Sequence, residues 1–179
     1  MKGIVFTEFL EMVEAKFGYE MVDKIIEESS SPNNGAYTAV GTYPHHELLG
    51  LLDQLSKASA VEKSALLHAF GIYMFKSFKD GYPGFFEGFN HAYDFLMTVD
   101  GHIHKEVLKL YPDAELPSFE VSYKGLEMKL IYSSYRRLSD FALGLIEASM
   151  NHFHHEYDIE KKLLDSEGVE VEFIIQIKP

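Results

Sequence analysis

Apolar residues recur every three or four positions through the N-terminal half of the chain, a spacing typical of amphipathic helices. The pattern predicts helices over 3–17, 19–28 and 44–56. The third of these begins with Pro44, which the first turn of a helix tolerates. The segment 29–35 is rich in Ser, Pro, Asn and Gly and therefore indicates a loop.

A fourth predicted helix, residues 61–78, carries apolar side chains around most of its circumference, which indicates a central and buried position. It contains His68, which we interpret as a packing residue. The aromatic segment 79–89 indicates a turn with a short helix or loop. A long helix is then predicted to end at Tyr111, and a loop follows it to Pro117.

Beyond this loop, apolar residues alternate with polar ones, which is the period of a β-strand. Residues 119–132 predict a hairpin with its turn at Lys124-Gly125, and the C-terminal segment predicts a second hairpin around 166–168. A helix over 138–152 separates the two hairpins. The order of elements predicts one α+β domain with a single four-stranded antiparallel sheet.

The composition excludes several classes of protein. The chain has 179 residues and a net charge of -12, which argues against binding to nucleic acid or to an anionic membrane. It has no cysteine, so disulfides, thiolate catalysis, iron–sulfur clusters and cysteine-based zinc sites are excluded. No apolar run reaches the ~18 residues of a membrane span, and the acidic N-terminal helix is no signal peptide. We therefore expect a soluble, cytoplasmic protein.

Two histidines on the long predicted helix point in different directions. His102 lies among charged residues, whereas His104 lies on an apolar face. His104 is either a core histidine that its neighbours satisfy or an axial ligand of a metal or haem. Gly101, less than one turn earlier, would give a flat macrocycle room to approach. The predicted face consists of Met97, Gly101, His104, Val107, Leu108 and Tyr111.

A second chemical pattern is Tyr132-x-Ser134-x-Arg136, which in an extended chain places a phenol, a hydroxyl and a guanidinium on one side. Such a group can receive one or two carboxylates, because Arg forms charge-assisted, bidentate pairs. The alternative is a strand end with a solvated polar face. Phosphate binding lacks the support of a glycine-rich loop.

Together, the inward His104, the loop that ends at Pro117 and the Y-x-S-x-R pattern resemble H-NOX domains, the haem-nitric oxide/oxygen binding family that includes the haem domain of soluble guanylate cyclase. The resemblance runs from MKGIVF to the closing hairpin and is to the stand-alone bacterial type. It implies a distal helical subdomain (about 1–60) packed on a proximal α/β subdomain (about 61–179), with haem b between them.

The resemblance implies a role for each matching residue. His104 corresponds to the axial iron ligand, Tyr132, Ser134 and Arg136 to the residues that hold the haem propionates, and Pro117 to a proline that presses on the macrocycle. By a weaker alignment, the residues expected in or near the distal pocket are Val5, Phe9, Met74 and Leu145.

Ligand choice is expected to depend on Phe141. Family members that hold O2 stably have a distal tyrosine at the matching position, because bound O2 needs a hydrogen-bond donor more than NO and CO do. Val5, Phe9 and Met74 also lack a donor, so the sequence predicts a sensor that binds NO and CO and excludes O2. The alternatives are an O2-binding haem protein, a haem enzyme, or a haem-free carboxylate-binding module.

The resemblance further implies signalling rather than catalysis. NO binding would break the bond from His104 to iron and shift the helix that carries this residue. In a chain of this length we expect a separate partner, such as a histidine kinase or a cyclic-di-GMP enzyme (diguanylate cyclase or phosphodiesterase).

The remaining histidines are interpreted as structural or solvated. His152, His155 and Glu156 would share a face if the helix continued past 152, an arrangement that could bind metal. Histidines at a helix C-terminus are favoured by the helix dipole, however, and are usually solvated. His45 and His46 are likewise expected to be exposed.

Overall fold

Helices form the N-terminal part of the molecule, and hairpin, helix and hairpin follow, so the predicted α+β class and order of elements are confirmed. The computed structural model describes residues 1–179. The helices are α1 (Gly3–Phe17), α2 (Tyr19–Ser29), α3 (His45–Ser59), α4 (Lys63–Gly81), α5 (Ala92–Thr98), α6 (His104–Leu110) and α7 (Ser139–His152), with a short 3-10 turn at Pro83–Phe85. The strands are β1 (Ser118–Lys124), β2 (Glu127–Ser133), β3 (Tyr157–Leu163) and β4 (Glu170–Ile177).

The N-terminus of α1 is held by the loop that precedes α3. The Gly3 amide donates to the carbonyl oxygen of Gly41 (2.8 Å) and the Ile4 amide to that of Ala39 (3.0 Å). These bonds satisfy N–H groups that have no partner within the helix. The loop thereby fixes the first residues of the chain, and Met1 lines the cavity described below.

Helix α4 is central, as its apolar circumference predicts. Leu66, Leu67, Phe70 and Met74 belong to a buried cluster with α1, α2 and α3, whereas Phe75 belongs to a second cluster with α5, α7 and the sheet. The first half of α4 therefore packs with the N-terminal helices, and the expected subdomain boundary near residue 60 stays a prediction. None of the helices has the length and apolar character that crossing a membrane requires.

The four strands form one antiparallel sheet in the order β1-β2-β4-β3, as predicted from the two hairpins. Tyr132 on β2 lies opposite Phe119 on β1 and Val171 on β4. Its position on the buried face, against α5 and α7, brings its side chain to the cavity. The first hairpin turns through Gly125-Leu126, one residue later than expected, with Gly125 at a φ of 61°.

The helix that carries His104 is not regular, and three members of the helical face predicted for it, Met97, Gly101 and Leu108, are exposed. The segment Val99–Ile103 is π-helical, and the His104 amide donates to the carbonyl oxygen of Val99, five residues back. This wider turn rotates the residues before it relative to those after it. Met97 is consequently 46% exposed. Gly101 is also exposed and does not line the cavity, whereas His102 is exposed as predicted.

Candidate functional site

A cavity of about 280 Å³ lies between the two buried clusters. Of the 35 residues that line it, 29 are hydrophobic, and the polar ones include Ser134, Arg136 and Glu115. An apolar chamber with a few convergent polar groups suits a ligand with a hydrophobic body and a charged end. The wall residues that bear on its chemistry are Val5, Phe70, Met74, His104, Pro117, Tyr132, Ser134, Arg136, Phe141 and Leu145.

His104 begins α6, immediately after the π-helical segment, and its side chain is only 16% exposed. Burial lowers the pKa of His104, while the carboxylate of Asp100 acts in the opposite direction. The imidazole is therefore neutral at pH 7, the form that offers a lone pair to a metal. Of the two interpretations left open by the sequence, a residue at the cavity wall fits a ligand better than a core histidine.

Tyr132 and Ser134 reach the cavity from the end of β2. The Tyr132 hydroxyl accepts a hydrogen bond from the Leu138 amide (3.1 Å), so its own proton remains available to an acceptor. Burial raises the pKa of Tyr132, which keeps the phenol protonated. The Ser134 hydroxyl likewise accepts from the Arg136 amide (3.3 Å), so both side chains can donate to an anionic group at this end of the cavity.

The extended conformation expected for the whole Y-x-S-x-R pattern is wrong after Ser133, where β2 ends. The chain turns instead: the Arg137 amide donates to the carbonyl oxygen of Ser134 (3.1 Å), and Arg137 has a φ of 57°. The turn leaves Arg136 on the cavity wall, whereas Arg137 pairs with Glu167 (2.5 Å) in solvent. The three predicted residues thus converge by a turn and not by strand alternation.

Arg136 carries an unsatisfied donor at the polar end of the cavity. Its Nη2 atom lies 2.7 Å from Oε2 of Glu115, and its Nη1 atom donates to the carbonyl oxygen of the same residue. Its Nε atom is buried and has no hydrogen-bond partner. Because buried polar groups nearly always have partners, this N–H indicates a ligand acceptor such as a carboxylate. The cavity, the imidazole and this donor together fit a haem with its propionates.

The polar end includes residues that the sequence reasoning missed. The Met1 amino group donates to the carbonyl oxygen of Tyr43 (2.9 Å), and burial and the nearby Arg136 lower its pKa. His45 was expected to be exposed but is half-buried, with its ring 5.5 Å from that of Tyr135. These residues are far apart in sequence, so no local pattern could have grouped them.

Four of the five residues expected in or near the distal pocket lie on the cavity wall. Val5, Met74, Phe141 and Leu145 line the cavity, but Phe9 does not. Phe9 is fully buried one layer behind the wall, where it packs edge-to-face on Phe70 at 5.3 Å. Phe9 was expected in or near the pocket, and it lies near the cavity but does not line it. None of the four lining residues carries a hydrogen-bond donor on its side chain.

Pro117 also lines the cavity, on the loop between α6 and β1. Two acidic residues of this loop, Asp113 and Glu115, hold it to other parts of the fold. Asp113 accepts from Lys2 Nζ (3.3 Å) and from the Thr42 hydroxyl (2.6 Å), and Glu115 accepts from Arg136. The segment after His104 is therefore connected to α1 and to the turn after β2.

The remaining histidines form no metal site. Helix α7 ends at His152 and the chain then reverses, with His154 at a φ of 58°, so His155 and Glu156 do not continue its face. His68 pairs with Glu147 at 2.9 Å and links α4 to α7, in keeping with a packing role. No group of three or more His, Asp or Glu side chains in the chain is arranged to hold a metal ion.

The helical part of the fold and the part that contains the sheet enclose an apolar cavity, which has an imidazole on its wall and cationic groups at its mouth. This combination is typical of haem-binding sensor domains. The model of the Haem-NO-binding family matches residues 2–161, and the chain belongs to this family, the H-NOX domains. H-NOX domains bind haem and act as gas sensors.

The solved H-NOX structures are closely similar to this chain. The Fe(II) unliganded H-NOX protein from K. algicida is 42% identical with a TM-score of 0.95, and the match covers 100% of this chain and 97% of that one. The H-NOX from Shewanella woodyi is 37% identical with a TM-score of 0.85, over 100% and 95% of the two chains. The protein from S. oneidensis, at 24% identity and a TM-score of 0.91 over 100% of both chains, shows the shared fold. No curated protein matches the chain.

Proposed function

We propose that this protein is a haem-based gas sensor that binds NO and CO at ferrous haem b, excludes O2, and signals to a separate protein through release of His104 from the iron. The observation that carries the proposal is the buried, unpartnered Nε of Arg136 at the mouth of an apolar cavity that His104 also lines. Haem, when bound, would supply an iron that coordinates diatomic gases.

Each polar residue of the cavity has a task in this proposal. His104 would bind the iron, and Tyr132, Ser134 and Arg136 would donate hydrogen bonds to the propionates. Pro117 would contact the macrocycle at the cavity wall. The haem would lie between the N-terminal helical subdomain and the subdomain that contains the sheet.

The apolar distal wall supports the choice of gas. Bound O2 carries partial negative charge and needs a donor, which Val5, Met74, Phe141 and Leu145 do not offer, whereas NO and CO depend on one much less. The H-NOX from S. oneidensis has been solved in the Fe(II)NO ligation state and that from Shewanella woodyi in the Fe(II)CO state. The same two gases are our proposal for this chain.

The contacts of the loop after α6 support signalling by movement of the helix that carries His104. If haem is bound and its bond to His104 is lost, α6 and this loop would be free to shift together. The loop holds α1 through the Asp113–Lys2 pair, so the shift reaches the N-terminal helices and changes the outer surface. We propose a cytoplasmic location, no catalytic activity, and a partner such as a histidine kinase or a cyclic-di-GMP enzyme that reads this surface.

Absorption spectra of the ferrous protein under air, CO and NO test the proposal. We expect a Soret band that shifts with CO and with NO and is unchanged by air. His104→Gly should lose the axial bond and recover it with added imidazole, whereas His102→Gly, the exposed control, should match the wild type. A stable complex with O2 would contradict the selectivity, and the absence of any Soret band would leave the haem-free carboxylate-binding module in its place.

A further inference from the structure

The carboxylate of Asp100 faces the imidazole of His104 on the side away from a metal-ligating nitrogen. We propose that Asp100 is a positioning residue: it accepts a hydrogen bond from Nδ1 of His104, fixes the orientation of the ring, and strengthens the bond from Nε2 to iron. The inference rests on the proposed function, because it concerns how tightly His104 holds the iron and therefore how readily it releases it.

Two contacts place the Asp100 carboxylate. Its Oδ1 atom lies 3.5 Å from Nδ1 of His104, and the same atom accepts a hydrogen bond from the Phe119 amide at 3.3 Å. Phe119 belongs to β1, so the carboxylate is held from outside its own helix. The Phe119 ring also lies 5.8 Å from the His104 ring, which restricts the imidazole on another side.

The π-helical segment sets this arrangement. Asp100 lies within Val99–Ile103, and the hydrogen bond from the His104 amide to the Val99 carbonyl closes the wider turn around it. Such single π-turns inside α-helices often occur at functional sites. Here the turn brings the carboxylate of Asp100 beside the ring of His104, the residue that follows the π-helical segment.

No other acidic group of this helix competes for the imidazole. Glu106 pairs with Lys109 at 2.5 Å, and Asp94 is exposed near the start of α5. His102 is also exposed and points away. Asp100 is therefore the acceptor within reach of Nδ1 on this element, and β1 contributes only the Phe119 amide to its carboxylate.

A carboxylate that accepts from the second nitrogen of a ligating imidazole raises its basicity and fixes its tautomer and orientation. The stronger donor stabilises ferric over ferrous iron and makes His104 slower to leave. The Asp100 side chain is 46% exposed, so water competes for its carboxylate and weakens its hydrogen bond to His104. The bond from His104 to iron would therefore be strengthened but could still be broken. Asp100 would thus set the threshold at which NO displaces His104.

Asp100→Asn in the haem-loaded protein tests this role. We expect the Fe–His stretching frequency, measured by resonance Raman, to fall and the Fe(III)/Fe(II) potential to rise. We expect the rate at which NO displaces His104 to increase about tenfold, the lower end of the effect that losing such a partner has on metal affinity or activity. Asp100→Glu should restore part of each value. The backbone amide of Phe119 should also exchange faster with solvent in the Asn variant, a readout independent of gas binding.

The matched control is Asp94→Asn, the same substitution on the same helix at an exposed position, which should leave all four values unchanged. If Asp100→Asn keeps a normal Soret band and a wild-type Fe–His frequency, the positioning role is refuted while the gas-sensing proposal stands. Equal changes in Asp94→Asn would also refute it, because they would reflect the charge of the helix and not the contact with His104. A wild-type protein without a Soret band would refute the proposed function itself.

Discussion

Gly71 on α4 and Gly144 on α7 meet backbone to backbone where the two helices cross. A Cβ at Gly71 would lie 2.9 Å from Cα of Gly144 and 2.2 Å from the carbonyl oxygen of Phe141. A Cβ at Gly144 would lie 2.1 Å from the carbonyl oxygen of His68. The two helices both line the cavity, so this crossing sets the distance between two of its walls.

Gly144→Ala should therefore destabilise the protein, since the methyl group would meet backbone atoms that cannot rotate away. We expect a loss of about 1–3 kcal/mol in the free energy of unfolding, the usual cost of overpacking, measured by urea denaturation at pH 7. Gly50→Ala on α3 is the control, because its nearest atom would be 4.0 Å away. That change should be neutral or stabilise by up to about 1 kcal/mol. Equal stability of the two variants would contradict the packing argument.

Arg136 and Arg137 are neighbours with opposite environments, and this difference predicts different responses to the same change. Arg136→Lys removes the buried Nε donor and should speed haem transfer to apomyoglobin by about ten- to hundredfold, since a charge-assisted hydrogen bond contributes about 1.5–3 kcal/mol. Arg137→Lys changes only an exposed pair with Glu167 and should leave the rate unchanged. Equal rates in both variants would show that the propionates do not use Nε.

Periodicity was sufficient for most of the helices and for the two hairpins, because each depends on local spacing. It was insufficient where the backbone departs from a regular period. The π-turn at Val99–Ile103 is defined by a hydrogen bond five residues back, which leaves no mark in the alternation of side chains. A helical wheel drawn with the regular α-helical period therefore places Met97 on the wrong face.

Long-range packing explains the other differences. Val5 and Phe9 are one helical turn apart and share a face of α1, yet only Val5 lines the cavity, because Phe70 lies in front of Phe9. Glu115, the partner of Arg136, could have been suspected from its place two residues before Pro117. The partnership itself required the fold, since it joins a loop to a turn on another element.

Phe141→Tyr should convert the distal wall from donor-free to donor-bearing. Phe141 lines the cavity and packs against Phe70 at a ring separation of 5.0 Å, so a hydroxyl added to its ring would enter a mainly apolar cavity. A hydrogen bond from that hydroxyl would stabilise bound O2. We expect the ferrous variant to form a complex with O2 in air, visible in its absorption spectrum.

Phe141→Leu is the matching control, since it alters the same wall without adding a donor and should remain insensitive to air. Formation of a stable O2 complex in both variants would indicate that space in the cavity, and not hydrogen bonding, governs O2 binding. If neither variant responds, the hydroxyl at 141 does not reach the gas.

Glu47, at the start of α3, carries a buried carboxylate that should make stability depend on pH. Its side chain accepts from Ser31 (2.7 Å), Asn33 (2.8 Å) and Tyr37 (3.0 Å), and the residue is 5% exposed. Burial alone would raise the pKa of Glu47, but these hydrogen bonds outweigh it and hold the pKa below its ordinary value. A lowered folded-state pKa stabilises the protein above the unfolded-state value of about 4.3 and ceases to do so as the pH falls through the folded-state value.

Glu47→Gln should accordingly cost about 1–3 kcal/mol in the free energy of unfolding at pH 7, because three donors would share a neutral acceptor. The difference from wild type should shrink as the pH falls below about 4, where the wild-type carboxylate also becomes protonated. Urea denaturation at a series of pH values measures both effects. Glu27→Gln, at an exposed position on α2, should match wild type throughout. A gap that stays constant down to pH 3 would mean that Glu47 acts by its shape and not by its charge.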